Sequence, residues 1–103
     1  MNFKQYEVVL VRLDPTIGSE IQKTRPCLII SPEEMNFNNL IVAPMTSKQK
    51  DYPTRVKLEK DSFVVLDQIR TISSKRVVKK MDIKLSKKNI ENIKNIIKIM
   101  LVD

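Results

Sequence analysis

Apolar residues gather in short runs along the first half of the chain, alternate with polar ones over 54–58 and 68–72, and fall at helical spacing only toward its end. Residues 7–13 (EVVLVRL) are β-branched and stop at Asp14-Pro15, which predicts a first strand. The polar stretch 14–24 predicts a long connection, and loops of that length inside a small domain are uncommon and often functional. Residues 25–31 predict a second strand, with Pro26 placing it at a sheet edge or at a strand start because proline has no N–H to give a ladder. Ser31 as N-cap and Pro32 in the first turn predict one helical turn over 32–35. A third strand follows over 39–45, then a polar run from Thr46 to Tyr52. Residues 54–58 alternate and 62–66 follow closely, predicting a hairpin across 59–61. Residues 68–72 alternate again, and 76–79 add a last short strand. Ile90, Ile93, Ile97 and Met100 or Leu101 then fall at helical spacing behind Ser86, a natural N-cap. Five to seven short strands and one C-terminal amphipathic helix predict a mainly β fold with α, a small β-barrel with the helix packed on it.

Composition narrows the chemistry. At 103 residues, the chain is expected to form one domain over 1–103, with a core modest enough that a dimer interface would reinforce it. No apolar run is long enough to span a bilayer, and the first residues lack the apolar stretch of a secretory signal. Cys27 is the only cysteine, so no internal disulfide forms; a cytoplasmic location and no membrane partner are expected. Within the run Cys27-Leu28-Ile29-Ile30 it reads as a small buried hydrophobe. There is no histidine, which excludes imidazole acid–base catalysis and leaves a zinc site almost without ligands. No D-x-D cluster offers itself to magnesium, and a single glycine, Gly18, makes neither a P-loop nor a dinucleotide turn. No metal and no cofactor are therefore expected. The net charge is +7, and residues 75–103 hold nine Lys/Arg against three Asp/Glu. That balance favours a polyanion or an acidic partner, or else a solvated lysine-rich face.

Three segments resemble one family. Leu13-Asp14-Pro15-Thr16-Ile17-Gly18-Ser19-Glu20, followed by Thr24-Arg25-Pro26, is similar to the L-D-P-x-x-G-S-E…R-P signature of MazF/PemK/Kid toxins. Ala43-Pro44-Met45-Thr46-Ser47 looks like that family's second motif, and Leu66-Asp67-Gln68-Ile69-Arg70-Thr71-Ile72 resembles its third. They occur in family order and spacing, and the resemblance runs from about Tyr6 to Leu101. It implies an SH3-like barrel assembled as a homodimer. It also implies metal-independent endoribonuclease activity on mRNA and other single-stranded RNA, leaving a 2′,3′-cyclic phosphate and a 5′-hydroxyl. An acidic MazE-type antitoxin is the implied protein partner, with DNA bound only as a toxin–antitoxin complex. The chain departs from the family in three places: Tyr6 stands where a glycine often precedes the first strand, Ser19 where some members have histidine, and Val65 where some have arginine.

The resemblance carries Arg25 over as the central catalytic residue and Thr46 as its partner. An arginine fork can hold two phosphate oxygens and oppose charge developing on the phosphorane. Arginine stays protonated in proteins, so the proton acceptor is left to a carboxylate, Glu20 or Asp67, or to water. For Arg25 the alternative is a strand-end ion pair with Glu20, and for Thr46 an ordinary turn residue. Thr16, Gly18, Ser19 and Gln22, with Ser47, Lys48 and Gln49, are candidates for contacting RNA bases, whose edges are open in single strands. Asp67, Gln68 and Arg70 join them from the third motif, with Arg70 also a candidate anchor for a loop or a dimer. Strand alternation sends Gln68 and Arg70 to the face opposite Asp67 and Ile69. Tyr52 and Phe37 are candidates for base stacking, with core or interface packing as the alternative. Two other functions share the barrel: a non-catalytic nucleic-acid-binding module acting with an antitoxin in transcriptional autoregulation, and a gyrase-directed toxin.

Overall fold

A computed structural model describes residues 2–13, 23–48, 52–58 and 62–102. Seven strands form: β1 (Val8–Leu13), β2 (Lys23–Ile29), β3 (Asn39–Thr46), β4 (Arg55–Lys57), β5 (Phe63–Val65), β6 (Arg70–Ser73) and β7 (Val77–Lys80). The helix α1 (Lys87–Ile97) follows. Strand order is β4-β5-β3-β2-β1-β7, all neighbours antiparallel, with β6 also paired to β3. The result is a strongly curved, barrel-like sheet that does not close.

Alternation along β1, β2 and β3 sorts the buried side chains onto two faces, as period two requires. Val9, Val11, Leu13, Cys27, Ile29, Leu40 and Val42 form the first cluster, closed by Phe3, Ile72 and Val77. Val8, Leu28, Ala43 and Met45 point the other way and meet Val56, Leu58, Val64, Leu66 and Ile93 of α1. The helix therefore covers the second face and leaves the first to the barrel interior. Ser86 caps it as expected, its hydroxyl accepting from Asn89 N at 3.1 Å. The α-helix ends at Ile97 rather than 101, and a wider π turn continues over Lys98–Val102. Ile93 is fully buried and Ile96 and Ile97 pack against its cluster, whereas Leu101 lies exposed beyond the helical stripe.

Two local expectations are corrected. Ser31 does not cap the 3-10 turn Glu33–Met35, which starts from Pro32 without a side-chain cap. Its buried hydroxyl instead donates to Asn36 Oδ1 (2.5 Å) and accepts from Ile41 N (3.0 Å), while Asn36 Nδ2 donates to Phe3 O (2.9 Å). β2 is not an edge strand, since it pairs with β1 and β3. Ile29 N donates to Glu7 O, so the N–H groups at alternate positions 29, 27 and 25 face β1 and position 26 faces β3. Pairing with β3 runs from Ile29↔Val42 to Cys27↔Pro44, so Pro26 falls where its missing donor costs no bond in a central ladder.

Candidate functional site

Pro44 has the same effect on the other side of β3. Ile30 N donates to Ile41 O, so positions 41 and 43 bond toward β2, and Pro44 turns its missing N–H toward the opposite edge. Along that edge β3 pairs with β6 from Asn39 to Val42 and with β5 at Met45 and Thr46. The 3-10 turn Leu66–Gln68 fills the interval between those pairings, opposite Pro44. The two motif prolines thus interrupt the ladder on both flanks of β3 at one level. Just beyond them stand Arg25 and Thr46.

Arg25 is half-buried on β2 and pairs with Val11 of β1, a first-cluster residue. Continuing the β2–β3 register two residues past Cys27↔Pro44 brings Arg25 level with Thr46. Cross-strand neighbours share a face, so both side chains lie on the first-cluster face, at the end of the barrel where β2 begins and β3 finishes. Leu13 and Lys23, between which residues 14–22 run, are paired at this same end. Thr46 Oγ1 accepts a hydrogen bond from Lys48 N at 3.2 Å. One lone pair is thereby used, and the hydroxyl proton and second lone pair are left for other work.

The third motif is not one continuous strand. Asp67 and Gln68 sit in the turn, where alternation does not apply, and β6 starts only at Arg70. Asp67 is exposed and Gln68 half-buried. Ile69 packs on the second cluster while Arg70 pairs with Val42 on the first-cluster face, which keeps the expected opposition of those two. Arg70 thus joins Arg25 and Thr46 on one face. It also lies close enough to Cys27 for its charge to act there, but burial dominates and pushes the thiol up to about 12. Cys27 is 0% exposed, so it is a core residue, as its apolar neighbours implied.

Alternation on β4 adds two cations to this side of the sheet. Val56 faces the second cluster, so Arg55 and Lys57 point the other way, in rows with Val65 and Phe63; Phe63 is itself paired with Thr46. The alternating segment 54–58 already placed both on one strand face, but only the β3–β5–β4 pairing brings that face beside Thr46. Arg55 Nη1 donates to Lys48 O at 3.1 Å, its backbone N–H to Tyr52 O at 3.1 Å, and its guanidinium lies 5.5 Å from the Tyr52 ring centroid. Tyr52 is 52% exposed and Phe37 78%, so neither is a core aromatic. Phe37 is remote, in the β2–β3 connection at the far end of the barrel.

Of the remaining candidates, Ser47 and Lys48 are exposed in the turn after Thr46. Thr16, Gly18, Ser19, Glu20, Gln22 and Gln49 lie outside the described residues. Among the described residues no three Cys, Asp or Glu side chains converge as metal ligands would. A cleft of about 540 Å³ lined by Tyr6, Val8, Met81, Leu85 and Ile90 lies against the helix, and none of the candidate residues borders it.

The strand pairings thus gather Arg25, Arg55, Lys57 and Arg70 around Thr46 on one side of a small, barrel-like β protein. Residues 4–101 match the family described as PemK-like, MazF-like toxin of type II toxin–antitoxin system, and the chain belongs to that family. It is 36% identical over 106 residues to the endoribonuclease MazF of Staphylococcus saprophyticus, covering 92% of this chain and 88% of that protein. Its fold is similar to the crystal structure of MazF from Deinococcus radiodurans (TM-score 0.85, 20% identity, 98% of this chain and 97% of that one). It is similar too to a chain of the MazE–MazF complex from the same organism (TM-score 0.79, 22% identity, 98% and 96% covered). The expected mainly β fold with a C-terminal helix is thus observed, its sheet barrel-like though not closed. Among the described residues no helix is long and apolar enough to cross a membrane.

Proposed function

We propose that this chain is a cytoplasmic, sequence-selective endoribonuclease toxin that cleaves single-stranded mRNA without a metal. The observation that carries the reading is the placement of Arg25 and Thr46 at one level of one face, just past the point where the β2–β3 pairing stops at Cys27↔Pro44. The 2′-oxygen of the RNA attacks the adjacent phosphorus while the bond to the 5′-oxygen breaks. The products are a 2′,3′-cyclic phosphate and a 5′-hydroxyl. Arg25 holds non-bridging phosphate oxygens through its fork and opposes the charge that grows on them. Thr46 donates its hydroxyl to the phosphate or the 2′-oxygen. The 2′ proton passes to a carboxylate or water, with Glu20 the carboxylate that the motif offers and Asp67 the second choice, and the leaving 5′-oxygen takes up a proton from Arg25 or from water.

Arg70 supplies a further positive charge on the same face; Ser47, Lys48 and Gln68 are proposed to act with Thr16, Gly18, Ser19, Gln22 and Gln49, which lie outside the described residues. These are the residues proposed to read bases. The protein partner is an acidic antitoxin of the MazE kind, matched to the lysine-rich last quarter, and the working unit is a homodimer. DNA is bound only by the toxin–antitoxin complex. The similarity of the fold to chains of MazE–MazF complexes from Deinococcus radiodurans supports the antitoxin assignment.

Incubating the protein with long RNA in EDTA separates this from the non-catalytic binding module. Discrete fragments ending in cyclic phosphate are expected. Retention of intact RNA on the protein would replace the enzyme by the binder.

A further inference from the structure

We infer that Arg55 is a positioning residue for Thr46, acting through the turn that follows β3; this rests on the reading of Thr46 as a catalytic hydroxyl. Thr46 is the last residue of its strand, and its side chain is aimed by a single described hydrogen bond, Lys48 N to Thr46 Oγ1 at 3.2 Å. Lys48 is exposed and belongs to no strand, so something else must hold its peptide in place. Its carbonyl accepts from Arg55 Nη1 at 3.1 Å. Arg55 in turn belongs to β4, which pairs with β5 through Arg55↔Val65, and β5 pairs back to Thr46 through Phe63. The circuit from Thr46 through β5, β4, Arg55 and Lys48 returns to the Thr46 hydroxyl.

Arginine suits this place for a geometric reason. One planar guanidinium donates to the Lys48 carbonyl and lies over the Tyr52 ring, while the Arg55 N–H takes the Tyr52 carbonyl. Lys48 and Tyr52 are thus both tied to a single residue. A lysine head is a point charge without the fork and cannot reproduce both contacts in one plane. Arg55 Nε is buried with no hydrogen-bond partner among the described residues, a cost the site bears to keep this side chain. With one lone pair of Thr46 occupied by Lys48 N–H, the hydroxyl rotor is held at one position and its proton is left to point elsewhere.

The test is a double-mutant cycle of Arg55→Met and Thr46→Ala on an RNA oligonucleotide with one cleavage site, in single turnover, with folding checked by thermal melting. Arg55→Met is expected to lower the cleavage rate constant about 10- to 100-fold, the usual scale for a displaced catalytic group. RNA affinity and its salt slope should stay within about twofold, and the loss should largely vanish in the Thr46→Ala background. Arg55→Lys, the milder variant, should show a smaller effect of the same kind. Weakened RNA binding with a flatter salt dependence and an unchanged rate constant would make Arg55 a phosphate contact and overturn the inference. Lys48 amide hydrogen exchange, read by NMR without RNA, separates the two levels of the argument. It should accelerate in Arg55→Met, and unchanged exchange overturns the positioning role whatever the RNA assay gives. If Thr46→Ala cleaves at the full rate, the catalytic reading of Thr46 falls, and the exchange result stands by itself.

Discussion

Tyr6 offers a stability prediction whose sign is unusual. It is the one non-glycine residue of the described chain with positive φ, at 68°, in the left-handed region where a Cβ crowds the following carbonyl. The turn persists because it is tied at both ends: Glu7 N donates to Lys4 O (3.2 Å), Lys4 N to Glu7 Oε1 (2.6 Å) and Tyr6 N to Ile29 O (2.8 Å). The last of these, with Ile29 N to Glu7 O at 2.9 Å, sets the register of β1 on β2 and hence the pairing of Val11 with Arg25. The ring, packed on the helix-side cluster, offsets the strain. Removing a half-buried ring costs about 2 kcal/mol, roughly half the loss for a fully buried aromatic. Tyr6→Ala loses the ring and leaves unchanged the left-handed penalty of about 1–2 kcal/mol that the tyrosine already bears. Tyr6→Gly loses the same ring but sheds the penalty. Glycine should therefore be the milder replacement by about 1 kcal/mol, although at ordinary backbone positions it is worse than alanine by about 0.5–1 kcal/mol. Urea denaturation with equal m-values measures the difference. Tyr6→Ala as stable as Tyr6→Gly, or more so, would refute the reasoning.

Other predictions concern the core and the site. Burial favours the neutral Cys27 thiol, raised from 9.0 to about 12, so its contribution is fully present below about pH 9 and is lost as pH climbs through about 12, to a limit of about 4 kcal/mol. Cys27→Ala should flatten the fall in stability between about pH 9 and 10.5, and a slope equal to wild type would exclude the thiol as its source. Ile93 is the fully buried anchor of α1, so Ile93→Ala should cost about 2–5 kcal/mol in chemical denaturation, and a loss below about 1 kcal/mol would mean that the helix does not depend on that contact. Arg25→Lys keeps the charge but not the fork and should still lose about 100-fold or more in cleavage rate with RNA affinity nearly kept; full activity would reduce Arg25 to a simple cation.

Much of this was legible in the order of apolar residues. The strands around Val9, Leu28 and Val42 follow from short unbroken apolar runs, which burial on both sheet faces writes, and the helix from its spacing and the Ser86 cap. Alternation misled at Asp67-Gln68, which carry a strand-like pattern yet turn, since Pro44 on the neighbouring strand withholds the donor a ladder would need there. Pro26 was read as an edge marker by the same local logic, though its missing donor meets an interruption in a central strand. Local pattern shows what a residue lacks and not which neighbour lacks a partner for it. Arg55 shows the same limit from the other side. Its place beside Thr46 depends on two strand pairings, β3 with β5 and β5 with β4, that no spacing in the sequence reveals.

The central claim is that the RNA supplies its own nucleophile while Arg25 and Thr46 stabilise the phosphate. The most direct measurement replaces the single ribose 5′ to the mapped scissile bond by 2′-deoxyribose in an otherwise unchanged oligonucleotide. The account predicts that binding persists within a few-fold while cleavage at that bond disappears. Cleavage of the deoxy substrate at the same bond, at an undiminished rate, would contradict it.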